Sequence, residues 1–105
     1  MITNFEQPLA HLCNLNYSNE SNKIINRINK LTGYNIRSNN RKQEVVRGRQ
    51  IAMYQIRKNT TLSLQEIGNI FNKDHATVIH ALKVVQDIID TRDKKYLYLV
   101  ETIKQ

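Results

Sequence analysis

No run of about 20 consecutive apolar residues occurs in the chain, so a membrane-spanning helix of ordinary length is excluded. The N-terminus also lacks a basic segment followed by an apolar stretch, so no secretory signal is expected and the expected location is cytoplasmic. Cysteine occurs once, at Cys13, which rules out an internal disulfide and suits a reducing compartment, where its expected role is packing. Glycine stands only at positions 33, 48 and 68. That excludes a GxxxxGK[ST] phosphate loop, and no nucleotide or other cofactor is expected. Metal chemistry is equally thin. His11 and Cys13 are too sparse a set for zinc, and His75 and His80, five apart, do not share a helix face. Asp87, Asp90 and Asp93 have the spacing of a carboxylate cluster that a nuclease could use, but a solvated helix face is the simpler reading. With no nucleophile and base pair to name, an enzyme is not expected.

What is present is positive charge in one place. The chain of 105 residues, a single domain by size, carries a formal net charge of +7. Residues 1–22 hold Glu6 and Glu20 and no basic side chain, while residues 59–105 are balanced. The excess sits in residues 23–58, where Lys23, Arg27, Lys30, Arg37, Arg41, Lys42, Arg47, Arg49, Arg57 and Lys58 face Glu44 alone. Such a block suits a polyanionic partner, and nucleic acid before a membrane surface, because no basic helix here has a broad apolar face. The plainer reading is a solvated face that aids solubility.

The periodicity predicts an all-α chain of about five to six helices with a basic loop, and no strand pair. Residues 1–21 read as an N-terminal extension, either a short helix after Pro8 carrying Phe5, Leu9, Leu12 and Leu15 or a partly disordered segment. The domain proper is expected over 22–105. Ser21 is placed as the N-cap of a helix whose stripe is Ile24, Ile28 and Leu31, closed by Gly33. Tyr34 and Ile36 anchor a polar, basic connection over 37–44. A second helix over about 45–58 turns Ala52, Met53 and Ile56 inward and Arg47, Tyr54, Arg57 and Lys58 outward. Ser63 with Glu66 forms a capping box for a third, with Leu64, Ile67, Gly68 and Phe71 buried. Because Gly68 is unfavourable in a helix interior, a close crossing by another helix is expected there. Asn72 and Lys73 break the chain and Asp74 caps the next helix. In that helix Val78, Ala81, Leu82, Val85 and Ile89 face inward, and Ala76, Ile79, His80 and Lys83 outward, with Thr77 at the edge. Tyr96, Leu99, Val100 and Ile103 mark a last helix that covers the core.

Residues 62–83 therefore hold two short amphipathic helices joined by a tight polar break, the pattern of a helix-turn-helix that reads DNA. An exposed face carrying an isoleucine, a histidine and small residues suits a DNA groove, where apolar contact with a thymine methyl is useful. His75 is either a DNA contact or a polar residue completing the cap. Asp74 is either a cap alone or also an acceptor for a cytosine amino group, and His80 either faces a groove or is simply half exposed.

RGRQIAMYQIRKNTTLSLQEIGNIFNKDHATVIHALK, residues 47–83, resembles the C-terminal DNA-binding domain of the bacterial chromosomal replication initiator DnaA. The RQIAMY block and the SLQEIG and KDHATVIHA blocks carry the match, and TGYNIRSNNRKQEVVRGRQ extends it upstream. The resemblance implies a helix-turn-helix docked in the major groove of a short AT-rich box in double-stranded DNA, with a loop arginine in the adjacent minor groove. It implies base contacts by Arg41, Lys73, Asp74, His75, Ala76 and Thr77. Around them, Arg49, Arg57, Thr61 and Ser63 match positions near the backbone, with Arg57 also close to the bases, and Lys42, Arg47, Lys58 and His80 complete the expected backbone set. Ala76 stands where the family commonly has threonine, the break before Lys73 is one residue shorter than the common double-glycine form, and Gln43 and Glu44 dilute the basic loop. The expectation is a stand-alone domain without the initiator's ATPase, acting in replication initiation or its regulation. The alternatives are a module that binds a replication protein, and a small transcriptional regulator.

Overall fold

The computed structural model describes residues 9–103, and side chains over 19–101. Its elements are α1 (Leu9–Thr32), α2 (Gln43–Asn59), α3 (Leu64–Ile70), α4 (His75–Thr91) and α5 (Lys94–Ile103), with no strand among the described residues. The expected packing of Cys13, the stripe through Phe5, Leu9, Leu12 and Leu15, and the Ile103 side chain all lie outside the described residues or side chains.

Two expected N-terminal helices are one. α1 runs through position 21 without interruption, so Ser21 is not an N-cap; it is 1% exposed and its hydroxyl has no hydrogen-bond partner. Neither glycine nor proline occurs between Pro8 and Gly33, and a serine alone does not stop a helix whose apolar stripe continues on both sides. Ile24, Ile25 and Ile28 face the core, whereas Leu31, at the edge of that arc, is 39% exposed and not part of the stripe. Gly33 closes α1 as expected, at φ +80 with its N–H donating to the Asn29 carbonyl at 2.8 Å.

α2 is the axis of the fold and packs against α1, α3, α4 and α5. Ile51, Ala52, Met53 and Ile56 are sealed from solvent with Ile28, Ile36, Ile67, Val78, Ala81 and Val85. Each buried aliphatic side chain of this size contributes about 1.5 to 3 kcal/mol. The burial on α2 is wider than one stripe, and includes Val45, Arg49 and Gln55. Gln55 donates through Nε2 to the Val100 carbonyl at 3.2 Å, which ties α5 to α2. On α4 the buried positions are Val78, Ala81, Val85 and Ile88, with Leu82 and Ile89 half-buried; Ile88 was not on the expected stripe.

Candidate nucleic-acid interface

The approach to the third helix is set by short-range bonds. Thr60 turns the chain after α2 by donating its hydroxyl to the Ile56 carbonyl at 2.7 Å, and Arg57 donates through Nη1 to the Leu62 carbonyl at 2.9 Å. Ser63 and Glu66 then form the reciprocal capping box: the Glu66 N–H donates to Ser63 Oγ at 3.1 Å and the Ser63 N–H to Glu66 Oε1 at 2.8 Å.

α3 ends in a Schellman motif. The Lys73 N–H donates to the Gly68 carbonyl at 2.8 Å and the Asn72 N–H to the Asn69 carbonyl at 3.2 Å, with Asn72 in the left-handed region at φ 58. This returning backbone explains Gly68, where a Cβ would lie 2.5 Å from the Lys73 carbonyl oxygen and 3.2 Å from that of Asp74. The close approach is therefore made by the turn into α4, and not by a crossing helix.

Asp74 caps α4. Its Oδ1 accepts the Thr77 N–H at 2.9 Å and the Thr77 hydroxyl at 2.7 Å. Those bonds, the hydroxyl's first, hold the Asp74 carboxyl below the usual carboxylate range, with His75 adding a smaller push in the same direction. His75, Ala76, Thr77, Ile79, His80 and Lys83 are all exposed, and the first turn of α4 presents free backbone N–H groups of the kind that attract anions.

The other part of the surface is the loop between α1 and α2. Arg49, nearly two turns into α2, is 9% exposed and points back under this loop. Its Nε donates to the Ile36 carbonyl at 3.0 Å, and its Nη2 to the carbonyls of Ser38 at 2.8 Å and Asn40 at 3.1 Å. Burial lowers its pKa from the ordinary arginine value, but three carbonyl oxygens compensate the charge. Asn29 takes the Ile36 N–H on Oδ1 at 2.9 Å, and Asn40 takes the Lys42 N–H at 2.8 Å. So held, the loop brings Asn39, Asn40 and Arg41 into one open groove with Val46, Arg49 and Lys73.

The remaining expected residues are distributed differently. Thr61 and Ser63 are exposed at the start of α3, and Lys42 lies over the Tyr34 ring at 5.6 Å. Arg47 is half-buried, donating to Gln50 Oε1 at 2.8 Å and stacked 5.8 Å over Tyr96 of α5. Lys58 sits 5.4 Å over Tyr54, in a cleft with Gln86, Ile89 and Val100 that is separate from the Arg41 and Lys73 groove. The inward role of Arg49 has a sequence signal: Val45, Arg49, Ala52 and Ile56 share one face of α2, so an arginine stands in an apolar stripe.

Asp87, Asp90 and Asp93 do not act together. Asp90 accepts from Gln86 Nε2 at 2.9 Å, and Asp93 accepts the Lys95 N–H at 3.1 Å where α5 begins. Among the described residues no three His, Cys, Asp or Glu side chains are grouped to hold a metal, and no helix is long and apolar enough to cross a membrane.

A short helix, α3, joined by a tight turn to the longer α4, with α4 exposed from its first turn and both seated on α2, defines a helix-turn-helix domain. The chain matches the family described as the bacterial DnaA protein helix-turn-helix over residues 22–85, and it belongs to that family. It is 45% identical over 64 residues to the chromosomal replication initiator protein DnaA of Desulfatibacillum aliphaticivorans, covering 61% of this chain and 14% of that protein. With the same protein of Thermus thermophilus the identity is 42% over 66 residues, 62% of this chain and 15% of the relative. With that of Bacteroides thetaiotaomicron it is 46% over 70 residues, 66% and 15%. The shared stretch is thus about a seventh of the length of these curated relatives. No solved structure matches the chain.

Proposed function

We propose that the chain binds double-stranded DNA at short AT-rich, initiator-like boxes, in replication initiation or its regulation, and that it does so without hydrolysing nucleotide. The observation that carries this reading is the joint placement of Arg41 and Lys73 beside the exposed, Asp74-capped start of α4. α4 enters the major groove, with Lys73, Asp74, His75, Ala76 and Thr77 at base edges and Arg41 in the adjacent minor groove. Arg57, Thr61, Ser63 and His80 lie along the backbone, and Lys42, Arg47 and Lys58 add to the surrounding positive field. The link to replication initiation comes from the relatives, which are chromosomal replication initiator proteins.

Phosphate contacts give most of the affinity and a steep salt dependence, while each good bidentate base contact adds about 1 to 3 kcal/mol of discrimination. Selection of bound duplexes from a random pool at two salt concentrations tests this. The expected result is an AT-rich box related to initiator sites, recovered by the wild type and lost by the His75→Ala, Thr77→Ala double variant. Equal, salt-insensitive retention of duplexes by that variant would overturn the assignment and leave the fold to a protein-binding role.

A further inference from the structure

Base reading by α4 leaves a second polar surface unused, along α1. No acidic side chain occurs from residue 21 to residue 43. Asn22, Ile25, Asn26 and Asn29 of α1 line an open cleft with Asn35 and Arg37 of the following loop. The three α1 asparagines recur at i, i+4 and i+7 and so share one side of the helix. Two of these six residues have a fixed amide orientation: Asn29 Oδ1 accepts the Ile36 N–H at 2.9 Å and Asn35 Oδ1 accepts the Arg37 N–H at 3.1 Å. The ends left for the cleft are therefore their Nδ2 donors, beside a guanidinium. Lys23 and Lys30, neighbours of Asn26 at i−3 and i+4, are exposed on the adjoining strip. Ile25, the one apolar residue of the lining, is 3% exposed, so the cleft has no anchor for a lipid tail.

We propose that this cleft holds the phosphate backbone of the duplex that flanks the box on the side of the Arg41 loop. The proposal rests on the chain being a box-binding domain. Arg37 precedes Arg41 by four residues, so their Cα atoms are at most about 14 Å apart, about four base-pair rises along a duplex. A backbone leaving the Arg41 and Lys73 groove on this side has Arg37 within about four base pairs, with the oriented amides of Asn35 and Asn29 in the same cleft and Lys30 on the adjoining strip. The two oriented amide donors and charge of a single sign suit phosphate oxygens and carry no base preference.

The test compares a minimal box, taken from the selection above, with duplexes extended on either side, using the full chain and an Arg37→Gln, Lys30→Gln variant. For the wild type, extension on the Arg41 side tightens binding and steepens the dependence of log K on log salt by about 0.9 per added phosphate contact, or roughly fourfold in affinity per contact between about 50 and 200 mM salt. Extension on the other side does neither. The variant binds the minimal box as the wild type does and gains nothing from the flank, with an unchanged thermal melt. A flank without effect on the wild type, or a gain that the variant retains, overturns the proposal while leaving box binding intact. Loss of wild-type binding to the minimal box itself overturns the box-binding reading and this proposal together. Binding to phosphatidylglycerol vesicles that the variant loses, with no flank effect on DNA, assigns the cleft to lipid and also overturns it.

Discussion

The two parts of the proposed reader are held in opposite ways. The α3 to α4 unit is secured by bonds between residues at most five apart: the Ser63 and Glu66 box, the Asp74 cap and the Schellman turn at Asn72. The basic loop after α1 has no repeating structure and is held by side chains from two other elements, Asn29 of α1 on the Ile36 N–H and Arg49 of α2, which reaches 13 residues back to the Ile36 carbonyl. Local bonds make a unit that keeps its shape while its exposed residues vary. Beyond Ile36, where Arg49 alone reaches the Ser38 and Asn40 carbonyls, a long-range clamp makes a segment whose basic residues share that support. Arg41 and Lys73, which line one groove of the protein, thus rest on supports with different tolerance to mutation.

The largest effect is expected from removing the clamp. Arg49→Gln leaves the Ile36, Ser38 and Asn40 carbonyls without their charged donor, costs about 3 kcal/mol in urea unfolding, and weakens box binding to the level of Arg41→Ala. The double variant binds no worse than either single one if the clamp acts through the loop; additive losses in a double-mutant cycle would instead make Arg49 a direct phosphate contact. Next, Gly68→Ala drives a methyl into the Lys73 carbonyl, costs about 2 kcal/mol, and disturbs the aim of α4 while sparing the loop, as amide chemical shifts around Arg41 would show. Asp74→Asn has a smaller effect, confined to α4. Because the Asp74 carboxyl is held below its ordinary value, its stabilising share is present above the usual carboxylate range and is lost as pH falls through the lowered value. Wild-type melts therefore drop with acid below about pH 4 more steeply than those of the variant. Smallest, Asn72→Gly relieves the left-handed residue in the turn and stabilises by about 0.5 to 1 kcal/mol without altering the preferred box.

The same contrast explains what could be read from residues alone. The capping box, the Asp74 cap, Gly33 and the outward face of α4 depend on patterns within one turn, and they were legible. So was the membership that residues 22–85 carry. Ser21 misled because a good capping residue counts for nothing where the flanking sequence goes on as helix. Gly68 signalled a close approach correctly, but spacing could not tell a crossing helix from a returning turn. The clustering of Arg41 with Lys73, and the parting of Arg47 and Lys58 from them, depend on how α2 rolls against its neighbours, which no local pattern encodes. The partners of Gln55 and Arg49 were hidden for a related reason, since they lie 45 and 9 to 13 residues away.

Arg49 also orients the peptide groups above it. With every described peptide bond trans, each N–H points opposite to the carbonyl that precedes it. Drawing the Ser38 and Asn40 carbonyls inward therefore turns the amide protons of Asn39 and Arg41 outward, and the positive ends of those peptide dipoles with them. Part of the loop's attraction for an anion thus belongs to the main chain, beyond the reach of any substitution at its surface, and is switched by a side chain that itself stays underneath.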